Sequence, residues 1–433
     1  MYFLFNQQEI GKSLTIDFDV MGEAQLWDAA TGNIQVIDSK VVNNKTRVSL
    51  NLEGWGSRII VITKRTNRYV IKNQGNIQQV IDQAHADGGG TVVIPKGTFR
   101  TGALFFPRGV DLHLEKGARL VSLVDTTLYP IITTRWEGQM KRARAALLNF
   151  NDNENCRLTG EGVIDAQGLE WRKIPFNQYG KPKTICFNGC HGGSIQGVRI
   201  LNQAFWCLHI LFTRGFTVDG IQICAEDYIP SSDGIDVDSS TDIIIKNTHI
   251  KAHDDCISIK SGKDEDGRAM NLPAENILIE DCHFDYGHGG VAMGSEVSGG
   301  IRNVTVRRCN MTGENWNPIR FKSQPSRGGF VENILFEDIH ISQARNILEV
   351  NMIWRMKGDV KPPHYPLTKL RNICFHNIEG TAENAGAIIG FPEQPFSKDV
   401  FHFENCRLRV KNPLKVENAN LDTDGLVMEL LNP

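Results

Sequence analysis

Three aspartates, Asp233, Asp254 and Asp255, have the type and spacing to do acid–base chemistry together. They stand in "SSDGIDVDSS" (231–240) and "AHDDCISIKSG" (252–262), with Asp254 and Asp255 lying 21 and 22 residues beyond Asp233. Two further segments follow in order: "GHGGVAMGSE", with His288 and Glu296, and "PIRFKSQ", with Arg320 and Lys322. Neighbouring side chains on a strand point to opposite faces. With Ile257 and Ile259 facing a core, Asp254, Ser258 and Lys260 face outward. If the four segments stack as rungs of one ladder, Asp236, Asp238, His288, Arg320 and Lys322 join them. Asp233 and Asp255 have the opposite parity. A buried, unpaired carboxylate is costly, so a bend ahead of each strand is expected to swing both outward beside Asp254. Crowded carboxylates raise one another's pKa and can keep one acid protonated near neutral pH. An acid that protonates a leaving oxygen, beside a carboxylate that activates water, is what hydrolysis of a glycosidic bond requires. Arg320 and Lys322 carry the charge to hold a sugar carboxylate nearby.

Each of these residues also has a plainer reading. Asp254 and Asp255 could cap strand ends through Asx turns, and Asp236 could sit in a solvated turn. His288 could be an ordinary loop histidine, and Arg320 and Lys322 a solvated strand face. Glu296 is either a sugar-subsite residue or the partner of a loop salt bridge. Trp206, in "AFWCLHI" with His209, lies one rung before Asp233, where it either stacks on a sugar ring or fills the core.

The elements that must position these groups are written as a repeat. From about residue 150 the chain returns to one phrase: "DIIIKNTHI", "NILIEDCHF", "NVTVRRCNM", "NILFEDIHI" and "NICFHNIEG", starting at Asp242, Asn276, Asn303, Asn333 and Asn372, in steps of 34, 27, 30 and 39 residues. Each is preceded by another short strand. Several short strands per unit of 20 to 40 residues signal a solenoid, and none of these intervals carries helical periodicity. The reading is an all-β chain: a right-handed parallel β-helix over 69–433. The asparagines that open the repeats are expected to form an internal ladder of amide hydrogen bonds. One helix stands out in "NIQQVIDQAHADGGG", with Ile77, Val80, Ile81 and Ala84 at helical spacing and a glycine stop, and it is expected to cap the open end of the coil. Residues 126–145, 165–184, 263–275 and 354–369 read as the longest loops. Residues 1–68 have longer alternating strands and read as a small β-sandwich-like segment.

The 433 residues carry a net charge of −3 with 22% charged residues, so nothing in the overall balance points to nucleic acid or a membrane surface. The ten cysteines are scattered without metal-site spacing and read as small core residues. Oligomeric state is not legible. Free thiols and a start without a leader fit the cytoplasm if the chain is complete; a periplasmic or secreted location follows if it is a piece of a longer precursor.

Taken in order, "SSDGIDVDSS", "DDCISIKSG", "GHGGVAMGSE" and "IRFKS" resemble the four sequence blocks of glycoside hydrolase family 28, the polygalacturonases, over roughly residues 70 to 433. The family forms are Asn-Thr-Asp-Gly-Ile-Asp, Gly-Asp-Asp-Cys, Gly-His-Gly and Arg-Ile-Lys. "TRWEG" (134–138) and "GSEVSGGIRNV" (294–304) are similar to segments of bacterial members that remove galacturonic acid from chain ends. The resemblance implies a pectic oligo- or polysaccharide substrate, inversion of configuration, and no metal or cofactor. It makes Asp254 the general acid, Asp233 and Asp255 the pair that positions water, His288 a support for the acid, and Arg320 and Lys322 the uronate site; Asp236, Lys260, Glu296 and Trp206 are expected as further substrate contacts from their places along the chain beside these blocks. Ser231-Ser232, His253 and Phe321 depart from the family forms, which leaves rhamnogalacturonan or another pectin side chain as an alternative substrate. A calcium-dependent eliminase and a non-catalytic glycan-binding β-helix are the rival functions.

Overall fold

The computed structural model describes residues 1–28, 31–63, 67–226, 228–312, 314–355 and 361–431. From Arg68–Val70 to Leu426–Leu430 all the strands but Ile131–Trp136 and Gln139–Arg144 join one continuous sheet wound into a parallel β-helix. Register is carried from coil to coil: Ile185, Leu208, Ile235, Ile257, Val291, Ile319 and Leu348 are successive partners. All seven are buried inside the coil. Their strand neighbours Cys186, His209, Asp236, Ser258, Ala292, Arg320 and Glu349 form the adjacent ladder, pointing the other way. One face of one sheet therefore collects the polar residues of four coils.

Equivalent positions stack inside the coil. Phe106, Phe150, Phe187 and Phe216 form a column with ring centroids 4.5, 4.6 and 4.4 Å apart, each ring wholly buried. The asparagine ladder is present too, but on the outside. Asn276, Asn303, Asn333 and Asn372 each donate a side-chain N–H to the residue one coil earlier, at 3.0 to 3.1 Å, and all four are exposed. They sit at turns with φ between 52 and 57°. Asparagine tolerates that left-handed region better than most residues, and this explains why it recurs at the start of each repeat.

The helix Ile77–Ala86 buries Ile77, Ile81 and Ala84 against the first coil. Its last carbonyls are taken by Gly88 N and Gly89 N, at 2.9 and 2.8 Å, with both glycines at positive φ. Ahead of it, two antiparallel sheets, one of four strands and one of three, share a small core of Phe18, Ala24, Val48 and Ile60. All ten cysteines are free thiols, eight of them buried. Among the described residues no helix is long and apolar enough to cross a membrane.

The intervals expected to be loops are more structured than their sequence indicates. Residues 131–144 form an antiparallel hairpin, Ile131–Trp136 with Gln139–Arg144. Short helices occupy Gly168–Lys173 and Asp264–Met270, too short to show a helical period. Part of the fourth interval, 356–360, lies outside the described residues.

Candidate active site

Ile235–Asp238, Asp255–Lys260, His283–Met293 and Asn315–Lys322 pair in parallel and floor an open cleft of about 360 Å³. Asp233, Asp254, Asp255, His288, Lys260, Glu296, Arg320, Lys322 and Trp206 all line it. One oxygen from each of Asp233, Asp254 and Asp255 falls within 4.8 Å of the others. Asp255 opens its strand, and Asp255 N donates to Asp254 Oδ1 at 3.0 Å; this local turn brings adjacent side chains into one cleft. Asp254 is the most accessible of the three, at 27% side-chain exposure, against 4% for Asp233 and 1% for Asp255. His288 Nδ1 stands 3.7 Å from Asp254 Oδ1, and its ring lies against Trp316, 4.6 Å away.

The acids have different electrostatic surroundings. Burial alone would raise Asp255, but Lys322 Nζ at 2.5 Å and Arg320 Nη1 at 3.2 Å hold its carboxyl well below the usual range. Asp233 is driven well above it by burial and by repulsion from Asp236, with Lys260 opposing. Asp236 is pushed up to about 7, again by burial, against the pull of Lys260. Lys260 is the common partner, with Nζ 3.3 Å from Asp233, 3.1 Å from Asp236 and 4.0 Å from Glu296. The three carboxylates are near enough to share a cation, but Lys260, Lys322 and Arg320 already supply positive charge to two of them.

Several expectations need correction. Asp236 has the outward parity, yet it is wholly buried and does not line the cleft; Lys260, from the next coil, lies over it. Asp236 is thus an internal counter-ion and not a sugar contact. Trp206 reaches the cleft, but its ring is covered by Phe205, stacked at 5.2 Å, and by the Lys260 ammonium 4.1 Å from its centroid, which leaves little face for a sugar. Arg320 and Lys322 are not a free cationic pair. Both bind Asp255, and Arg320 Nε also donates to Glu349 at 2.6 Å. Glu296 is buried as an ion-pair neighbour of Lys260 while still facing the cleft.

Sequence reasoning missed Glu137, Ser295 and Trp354 on the cleft wall, where Ser231, one of the departures from the family form, also lies. Glu137 sits at the tip of the hairpin, which buried side chains pin to the coil. Arg135 Nη1 donates to Asp238 Oδ1 and to Ser239 Oγ, each at 2.7 Å, and Trp136 stacks on Phe205 at 4.1 Å. Lys183 Nζ donates to Arg135 O at 2.7 Å and meets His209 Nδ1 at 2.8 Å. Burial and Lys183 push His209 down to about 3, so its imidazole is neutral at neutral pH. The quoted "TRWEG" (134–138) was the signal for the hairpin tip that carries Glu137.

A coil of parallel strands with an acid triad and cationic partners in an open groove defines a carbohydrate-processing β-helix. The glycosyl hydrolases family 28 profile matches residues 92–421, and the chain belongs to that family. A probable polygalacturonase of Vitis vinifera is 28% identical over 328 residues, covering 72% of this chain and 66% of that protein. An exopolygalacturonase of Platanus acerifolia is 24% identical, covering 75% and 84%. The chain thus spans just under two thirds of the grapevine relative's length. Among solved structures, the hyperthermoactive exopolygalacturonase of Thermotoga maritima superposes with a TM-score of 0.74 at 24% identity, covering 85% of this chain and 93% of the other. The family 28 exopolygalacturonase of Yersinia enterocolitica gives 0.65 at 17%, covering 96% and 97%. These likenesses carry the fold.

Proposed function

We propose that residues 69–433 are an inverting hydrolase of α-linked galacturonic acid in pectic chains, acting from chain ends, with the 1–68 sandwich outside the catalytic unit. The observation that carries this reading is the unequal acid triad: three carboxyl groups within 4.8 Å in an open cleft, of which Asp255 is held ionised by Lys322 and Arg320 while Asp254 is the one that stands accessible beside His288. Asp255 accepts the proton of a water that Asp233 helps to hold; the water oxygen bonds to the anomeric carbon. The bond to the leaving oxygen breaks as Asp254, accessible and next to His288, donates its proton to that oxygen. A short carboxyl separation taken as a pair would suit retention, since inverting pairs stand about 6.5–9.5 Å apart. The third acid changes that reading, because two acids on adjacent coils can hold a water while the third serves the leaving group.

Arg320 uses two of its five N–H donors on Asp255 and Glu349, and the others suit a uronate carboxylate. End-wise action is supported by the hairpin, whose tip is packed against the wall: Lys263 N donates to Gly138 O at 2.8 Å. The bacterial part of the narrower expectation rests on fold likeness to the two bacterial exopolygalacturonases, because the two sequence relatives named above are plant proteins.

The test is product chromatography and proton NMR of the first product anomer from polygalacturonate, galacturonate oligomers and rhamnogalacturonan, with the native chain and Asp254→Asn. Monogalacturonate released as the β anomer, with a rate loss of about 10²–10⁴-fold in the variant, is expected. Rhamnogalacturonan cleaved in preference would move the substrate to a side chain, and an unsaturated product abolished by a chelator would replace hydrolysis by elimination.

A further inference from the structure

Outside the cleft lining, His249, His283 and Asp285 form a second cluster with metal-ligating chemistry. His249 and His283 are direct partners on neighbouring coils, as are the next residues Ile250 and Phe284. Ile250 and Phe284 are buried in the core, so the histidines project from the outer face. The register then slips: Lys251 pairs with Tyr286, which makes Asp285 the extra residue of a β-bulge. Bulges re-aim side chains, and this one sets the Asp285 carboxylate between the two rings. Asp285 Oδ2 is 2.6 Å from His249 Nε2, and Oδ1 is 2.7 Å from His283 Nε2. The rings stand 4.9 Å apart at 83°, and one ligand atom from each residue lies within 4.8 Å of the others. Thr312, from the next coil, places Oγ1 3.1 Å from His283 Nε2.

We propose that His249, His283 and Asp285 bind a divalent ion of the zinc class, which staples two successive coils. Both imidazoles present the same nitrogen to a single carboxylate, and two imidazole nitrogens with one carboxylate oxygen are the donor set that zinc and its neighbours prefer. The ion would take the place of the two Nε2 protons, at about 2.0–2.2 Å from nitrogen and oxygen. Water or the Thr312 hydroxyl supplies a fourth position. The three side chains are 38 to 46% exposed, which gives an ion access and makes a solvent-screened His–Asp contact worth little by itself. The ligands run from residue 249 to residue 285, so the ion favours the folded coil by mass action.

The experiment titrates zinc chloride into the full chain, previously stripped with a chelator and exchanged into fresh buffer, by calorimetry and by thermal melting. Cobalt absorption reports the donor set. One site per chain is expected, together with a rise in Tm. His249→Gln and His283→Gln weaken binding at least about tenfold and abolish the Tm rise, whereas Asp254→Asn leaves both unchanged. Asp285→Asn, nearly isosteric, covers the case in which a histidine variant misfolds, which circular dichroism reveals. Absence of zinc-dependent heat and Tm change overturns the proposal. So does binding that survives both histidine variants and disappears in Asp254→Asn, since that places the ion in the cleft.

Discussion

Lys322 and Arg320 outweigh the burial that would otherwise keep Asp255 protonated, and this makes the base of the proposed reaction dependent on its neighbours. A carboxyl with a depressed pKa is ionised across the working range and loses its charge only at low pH. Lys322→Met removes the closer cation, so the Asp255 pKa rises, and the acid limb of kcat/KM is expected to move up by at least about one pH unit. A pH–rate profile checks this; an unmoved limb would take the base role away from Asp255. Asp236 shifts in the opposite sense. Its folded pKa of about 7 lies above that of an unfolded aspartate, so its stabilising contribution is full below pH ~4 and gone above pH ~7. Relative to the native chain, Asp236→Asn should therefore gain Tm as pH rises from 4 to 8, as melts at both pH values will show. Parity disclosed which face each acid takes. It could not disclose that Lys260, from the next coil, would cover Asp236, because a long side chain folding back over its neighbour leaves no trace in alternation.

At the scale of elements, the repeated strands were legible because each phrase buries the same alternate positions and all but the first open on a turn asparagine. The hairpin was not. Its anchor, Arg135 to Asp238, joins residues 103 positions apart, and an ion pair across that separation has no local pattern. The same insertion brings Glu137 into the cleft, so the wall residue was hidden with the wall. Gly138 gives the hairpin a direct test. It has φ of +78°, and a Cβ there would fall 2.5 Å from Lys263 Cβ and 2.7 Å from Glu296 Cγ, so Gly138→Ala must push the tip off the wall. Oligomeric products should then appear beside monogalacturonate on a chromatogram, while the coil beneath melts within a few degrees of the native chain. Monogalacturonate alone from the variant would separate end-wise action from the hairpin.

Across the whole molecule, two ladders run along the coil axis, one of rings inside and one of amides outside, and they should differ in weight. Phe187 is packed between Phe150, on which it stacks, and Phe216, to which it is tilted, and is wholly buried. Phe187→Ala deletes a ring from a close-packed column whose neighbours are fixed by backbone pairing and cannot collapse inward, so a loss of about 3–5 kcal/mol is expected. Asn303 is exposed, with one amide bond received from Asn333 and one given to Asn276. Asn303→Gly removes both without straining its φ of 55°, and water replaces them, so about 1 kcal/mol or less is expected. Each coil touches only its neighbours, and the damage should therefore be local. Amide exchange in the Phe187 variant should speed most in the coils holding Phe150, Phe187 and Phe216, with the coil around Phe375 little changed. Urea unfolding measures the two losses. Equal losses would mean that the exterior amides carry the register, and the asparagines opening each repeat would then be determinants of the fold and not merely residues suited to its turns.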